Sequence, residues 1–238
     1  MRYLKNLLFL LLLLSISCEK ALQISFSEIH MSSKNNDIVE INIPQAKGKA
    51  SIINSINSSI ENNVISAMQT GDPNEVSPQT IIESINSFVN EYEAFKQDFP
   101  DSEQIWETQI DGEVLYQSED IISIALTAYT NTGGAHGNSK ITFLNFNSKN
   151  GKLIANTALF SDIAGLKSIA KPYYQSSIED KNILLNQDEF KLPSNIAYTE
   201  EGLVFLYNTF EIAAYSEGII EFKIPFEEAK PYLIFNNF

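Results

Sequence analysis

Few side chains in this 238-residue sequence are suited to nucleophilic or metal chemistry: one cysteine, Cys18, and two histidines, His30 and His136. A serine nucleophile needs a base beside it, and the chain has no Gly-x-Ser-x-Gly elbow. Ser168-Ile169-Ala170-Lys171 fits the Ser-x-x-Lys pattern in which lysine activates serine. With 25 serines and 15 lysines in the chain, however, about 1.6 such matches are expected by chance, and the companion Ser-Asp-Asn and Lys-Thr-Gly motifs are missing. Zinc hydrolysis needs two or more clustered N or S ligands, as in His-Glu-x-x-His, and two histidines 106 residues apart do not supply them. No Asp-x-Asp-x-Asp-Gly calcium loop is present either. The sequence therefore assigns no catalytic residue, no metal ligand and no cofactor. Paired carboxylates for glycoside hydrolysis cannot be picked by spacing among 30 acids.

The densest candidate cluster is Gly133-Gly134-Ala135-His136-Gly137, followed by Asn138. Glycines allow positive φ and close approach, so such a loop can present backbone N–H groups and an imidazole to a ligand. It can equally be a tight connection between strands, with His136 bonded to a neighbouring carbonyl or carboxylate, and that structural reading is preferred. A dinucleotide fingerprint is excluded, because the Gly-x-Gly-x-x-Gly spacing and the strand-to-helix setting both fail. Gly133, Gly134, His136, Gly137 and Asn138 are the ligand-binding candidates.

Cys18 belongs to a different chemistry. Arg2 and Lys5 precede an apolar run, Leu7 to Leu14, that is too short to span a bilayer, and Ser15-Ile16-Ser17 places small residues just before the cysteine. This resembles a bacterial lipobox, in which the thiol receives diacylglycerol and the leader is cut away. Two acyl chains anchor stably, since each buried methylene contributes about 0.8 kcal/mol. Cys18 is thus expected to tether the chain to a lipid bilayer rather than to act as a nucleophile. One cysteine also rules out an intramolecular disulfide.

The elements that must position these groups follow from periodicity. Ile38 to Pro44 alternates as a half-buried strand that Pro44 ends, after a tether over residues 18–27. Ile52, Ile53, Ile56, Ile60, Val64 and Met68 form one helical stripe. Ile81, Ile82, Ile85, Phe88, Val89, Tyr92, Phe95 and Phe99 form a second, with Ser77-Pro78 suited to its start. Beyond Pro100 the period falls to two. Trp106 to Ile110 and Val114 to Gln117 flank Asp111-Gly112, read as a hairpin turn, and Ile121 to Thr130 and Lys140 to Phe146 are longer strands. Asn150-Gly151 marks another hairpin. A helix over Ile163 to Tyr174 broken at Pro172, strands at Leu203 to Tyr207 and Ile219 to Ile224, and a closing helix over Phe226 to Leu233 complete the chain. Segregated helices and antiparallel sheets indicate an α+β fold.

Composition limits the partners. The formal charge is −14, and removal of residues 1–17 would leave 14 basic against 30 acidic side chains, a charge of −16 with no arginine. Nucleic acid, whose binding is driven by Lys and Arg displacing counterions, is excluded as a partner. The lack of guanidinium weighs against a phosphate-reading site, although lysine can still serve as a point charge.

Four segments together carry a resemblance: Tyr129 to Asn138, Asn145 to Lys152, Leu159 to Asp162, and Glu211 to Gly218. They are similar to the paired domains in the outer part of RsiV-type anti-sigma factors, which act as lysozyme receptors, and beside the catalytic domain of some peptidoglycan deacetylases. The resemblance implies two packed α+β subdomains, 28–147 and 148–238, and recognition rather than a known reaction. Only six residues precede the apolar run, and no deacetylase catalytic domain is seen, so the expectation is a lipid-anchored ectodomain facing the periplasm or cell surface. Its expected role is binding an envelope component, peptidoglycan or a protein. A lysozyme-type protein and an uncharacterised wall-glycan hydrolase using His136 are the alternatives.

Overall fold

The computed structural model describes residues 24–34, 36–70 and 78–237; the leader, Cys18 and Ser77 lie outside them. Within these residues the chain builds an α+β fold of two sheets. The first is six-stranded, in the order β1 (Ile24–Ser32), β2 (Val39–Gly48), β3 (Glu107–Gln117), β4 (Ile121–Asn131), β5 (Asn138–Asn147) and β6 (Leu153–Ile154). Every neighbouring pair is antiparallel except β2 and β3, which run parallel over Val39–Asn42 and Thr108–Asp111. A parallel pair needs a crossover, and α1 (Ala50–Ala67) and α2 (Ile81–Asp98) supply it.

The two helices cover one face of this sheet because their apolar stripes demand it. Ile52, Ile56, Ile60 and Val64 of α1 are buried, with Ile81, Ile85 and Phe88 of α2. They meet Ile41, Ile43, Ile110, Ile122, Ile124 and Leu144 of the strands, each large side chain contributing roughly 1.5–3 kcal/mol on full burial. Thr80 caps α2 by accepting from Glu83 N at 3.1 Å, and the Glu83 carboxylate accepts in turn from Gln79 N at 2.7 Å. Trp106 closes the far end against Phe88, Tyr92 and Phe95.

The second sheet, β7 (Asn195–Thr199), β8 (Gly202–Tyr207) and β9 (Ile220–Pro225), is an antiparallel meander. It packs with α3 (Ile163–Ser176) and the short α4 (Phe226–Ala229) around its own core of Leu166, Tyr174, Ile196, Tyr198, Phe205 and Phe222. Burial raises the Tyr198 and Tyr207 phenols well above their ordinary range. Tyr116 and Ile121, from the first sheet, join this core, so strand β7 lies against the face of β3–β5 that the helices leave open.

The seam between the sheets is polar and satisfied. Asn145, 1% exposed, donates to Ile196 O at 2.7 Å and accepts from the Ser123 hydroxyl, which itself accepts from Tyr198 N at 3.1 Å. Strand β6 pairs only with Asn145 and Phe146, leaving the outer edge of β5 unpaired before them. Two asparagines fill that edge: Asn195 accepts from Phe143 N at 2.9 Å, and Asn208 both accepts from Ile141 N and donates to Ile141 O at 2.8 Å. An amide side chain thus takes the place of the next strand.

Several local expectations are corrected. Residues 24–27, expected in the tether, begin strand β1. Strand β2 runs through Pro44 to Gly48, because β3 parts from it after Asn42 and a proline beyond that point loses no bond to β3. Asp111-Gly112 is not a turn but the middle of β3. Its glycine serves close packing, since a Cβ there would sit 2.6 Å from Pro44 Cδ and 2.9 Å from Leu126 Cδ2. Helix α2 starts at Ile81 behind Thr80. Helix α3 continues past Pro172 to Ser176.

Candidate functional site

Helix α1 stops short of the end of the sheet, and the uncovered surface becomes a cleft of about 490 Å³. Its floor is the helix-facing side of the strands: Ile110 of β3, Leu126 and Ala128 of β4, with Val64 and Ala67 of α1 beside them. Its walls are polar. Asn63, Ser66, Gln69 and Thr70 come from the last turn of α1 and just beyond, Thr130 and Thr132 from β4 and its loop, and Asn138, Lys140 and Thr142 from alternate positions of β5. Gly134 and His136 complete the rim.

The loop joining β4 to β5 is thus both packed and open. Asn131 Oδ1 accepts from Gly133 N at 3.0 Å, an Asx turn, and Gly133 has φ +83°. Gly137 is buried, and a Cβ on it would lie 2.3 Å from the Tyr129 ring. His136 Nδ1 lies 3.1 Å from Gly137 O, so the tautomer protonated there donates to it. These contacts pack the loop between the two strands. Yet the loop also borders the cleft, and of the five residues singled out from sequence, Gly134, His136 and Asn138 line it.

Sequence reasoning missed the support that arrives from the second sheet. Tyr215 stacks on the His136 ring at 3.9 Å and 19°, and its hydroxyl donates to Gly137 O at 2.6 Å. Phe210 lies 5.5 Å from Tyr215, is 62% exposed and has φ +67°, a conformation few non-glycine residues adopt. Three aromatic rings therefore run outward from the cleft rim. Tyr215 had one signal, its place in the Glu211 to Gly218 segment; Lys140, Asn63 and Phe210 had none.

The charge pattern of the cleft differs from that of the chain. Among the described residues Lys140 and His136 are its only titratable lining residues, and no carboxylate lines it. Lys140 faces Ala128 across the strand pair and takes part in none of the three ion pairs found among the described residues. Among the described residues no three of His, Cys, Asp and Glu gather as a metal site. Ser168 and Lys171 lie exposed on α3, away from the cleft, and His30 is on β1, bonded to Asn42.

These elements define an α+β protein carrying two family segments. Residues 32–139 match the family described as Deacetylase PdaC, and residues 149–227 match a protein family of unknown function, DUF3298. Most of β5 falls between the two segments. Two solved structures share the fold: a DUF3298 family protein from Pseudomonas aeruginosa, 18% identical over 92% of this chain and 97% of that one, with TM-score 0.58, and a DUF3298 member from Bacteroides fragilis, 19% identical over 91% and 95%, with TM-score 0.61. No curated protein matches the chain.

Proposed function

We propose that the protein is a lipid-anchored binding module of the bacterial envelope, and that its ligand occupies the cleft between α1 and β4–β5. One observation carries this: a concave site with an apolar floor and walls of amides and hydroxyls, with no carboxylate among its described lining residues to serve as acid, base or nucleophile. Such a lining suits a hydroxyl- and amide-bearing ligand, of which the N-acetylated glycan of the cell wall is the envelope example. The Deacetylase PdaC match over residues 32–139 supports an acetylated ligand. Among the described residues His136 has Gly137 O and the Tyr215 ring as its partners, and neither makes it part of a nucleophile–base pair, which supports binding rather than turnover.

Ala128→Tyr fills the cleft from its floor. In calorimetry with soluble peptidoglycan fragments the wild type is expected to bind and this variant to lose at least tenfold in affinity, with circular dichroism unchanged. Equal binding by both would remove the cleft as the site. A lysozyme-type protein is the second reading, favoured by the charge of −14; there Ala128→Tyr would bind a lysozyme as the wild type does and bind no glycan.

The anchor is tested separately. Fatty-acid labelling in cells is expected to mark the wild type and not Cys18→Ser; label persisting in the variant would sink the lipoprotein assignment.

A further inference from the structure

The lining of the cleft also says which group of the ligand enters it. Among the described residues three lysines, Lys149, Lys191 and Lys223, form ion pairs, all of them away from the cleft. Lys140 is the lysine that lines it. Its cross-strand partner is Ala128, its neighbours along the same face of β5 are Asn138 and Thr142, and the remaining cleft residues are neutral apart from His136. Strand β6 does not reach this part of β5, and the edge beside Lys140 is filled by the neutral side chain of Asn208, bonded to Ile141. Lys140 is exposed, lines the cleft and forms no ion pair among the described residues.

The opposite wall has the reverse polarity. It is the C-terminal turn of α1, where the last carbonyls run out of intrahelical donors and the helix carries its partial negative charge. A ligand spanning the cleft therefore meets acceptors on one side and a single cation on the other. A phosphate fits poorly, because its two negative charges would face one lysine and a helix end of like sign. A hydroxyl- and amide-rich ligand with one carboxylate fits both walls: its O–H and N–H groups donate toward α1, and its acid group pairs with Lys140.

We propose that the cleft recognises a carboxylate-bearing, N-acetylated saccharide, and that Lys140 Nζ is the specificity-determining contact for its acid group. This rests on the binding-module reading above and goes further in naming the group bound. Two sources offer that chemistry. In the free amino-sugar disaccharide of the wall the acid is the lactyl ether carboxyl; in a muramyl dipeptide that carboxyl is consumed by the peptide bond and the acid lies on the peptide.

The test uses the mature chain and three probes: the disaccharide acid, the muramyl dipeptide, and neutral chitobiose. Lys140→Met removes the charge while keeping the length of the stem. Because a hydrogen bond to a charged group contributes on the scale of a 10- to 100-fold change in affinity, Lys140→Met is expected to weaken an acidic probe by that factor and leave chitobiose unchanged, with Lys140→Arg recovering part of the loss. Whichever acidic probe shows the dependence identifies the source. If acid and neutral probes bind alike, or Lys140→Met binds the acids as wild type does, the assignment of Lys140 is overturned; should Ala128→Tyr still block those probes, the cleft remains the site. If none of the three binds the wild-type chain, both readings fall.

Discussion

Gly151→Ala is expected to be among the most damaging single-methyl changes in the protein, lowering stability by roughly 3–4 kcal/mol. Gly151 sits in the turn between β5 and β6 at φ +71°, and a Cβ there would lie 2.1 Å from Ile52 O and 2.9 Å from Ile52 C, at the start of α1. Those are backbone atoms, so relief requires moving the helix or the hairpin. Gly218 provides the control, with φ +69° and nothing within 4 Å of its added Cβ. With ψ −146° at this position, Gly218→Ala should carry only a conformational cost, roughly 1–3 kcal/mol. Urea unfolding of the two variants isolates the contact: equal losses would mean that α1 yields freely and does not fix the hairpin.

Asn145→Ala should cost about 3 kcal/mol, because each orphaned buried partner costs roughly 1–3 kcal/mol. The change strips Ile196 O of its donor and leaves the Ser123 hydroxyl without its acceptor, in a seam closed to water. Ser123 also accepts from Tyr198 N, so Ser123→Ala and the double variant should couple by about 1 kcal/mol or more. A loss below 1 kcal/mol, or additivity of the two changes, would show that the seam admits solvent at Asn145 and that this network does not hold the sheets together.

Both helices of the first sheet were legible because a 3.6-residue stripe has one physical cause, a face turned to a core. The misreadings came from glycine and proline, whose local meaning depends on partners far along the chain. Asp111-Gly112 has the composition of a turn, but Gly112 is there because Pro44 and Leu126 press on it. Pro44 lies inside the strand it was expected to end, and Pro172 inside the helix it was expected to break. Strand β1 shows apolar residues at Ile24, Phe26, Ile29 and Met31, yet with the stripe slipping by one position after Phe26 its alternation is imperfect. Of the candidate site, the loop from Gly133 to Asn138 stood out by density of small residues. Its support did not, because the Tyr215 hydroxyl that holds Gly137 comes from 78 residues away, and nothing local to Lys140 marks it as unpaired.

The parallel pairing of β2 with β3 sets the order in which the molecule can assemble. Some 65 residues separate Asn42 from Thr108, so joining them closes a loop at a chain-entropy cost of about 4 kcal/mol. The helices and the β1–β2 and β4–β5 hairpins involve near neighbours and need no such closure. A chain emerging from its N-terminus therefore holds β2 with one edge unmated until Thr108–Asp111 arrives, exposing Ile41 and Ile43 meanwhile. Aggregation competes most strongly in that interval. The bond from Asn42 Nδ2 to Asp111 Oδ1, 3.0 Å across the junction, then acts as a latch on the slowest step of folding, and loosening it would show first in the refolding rate.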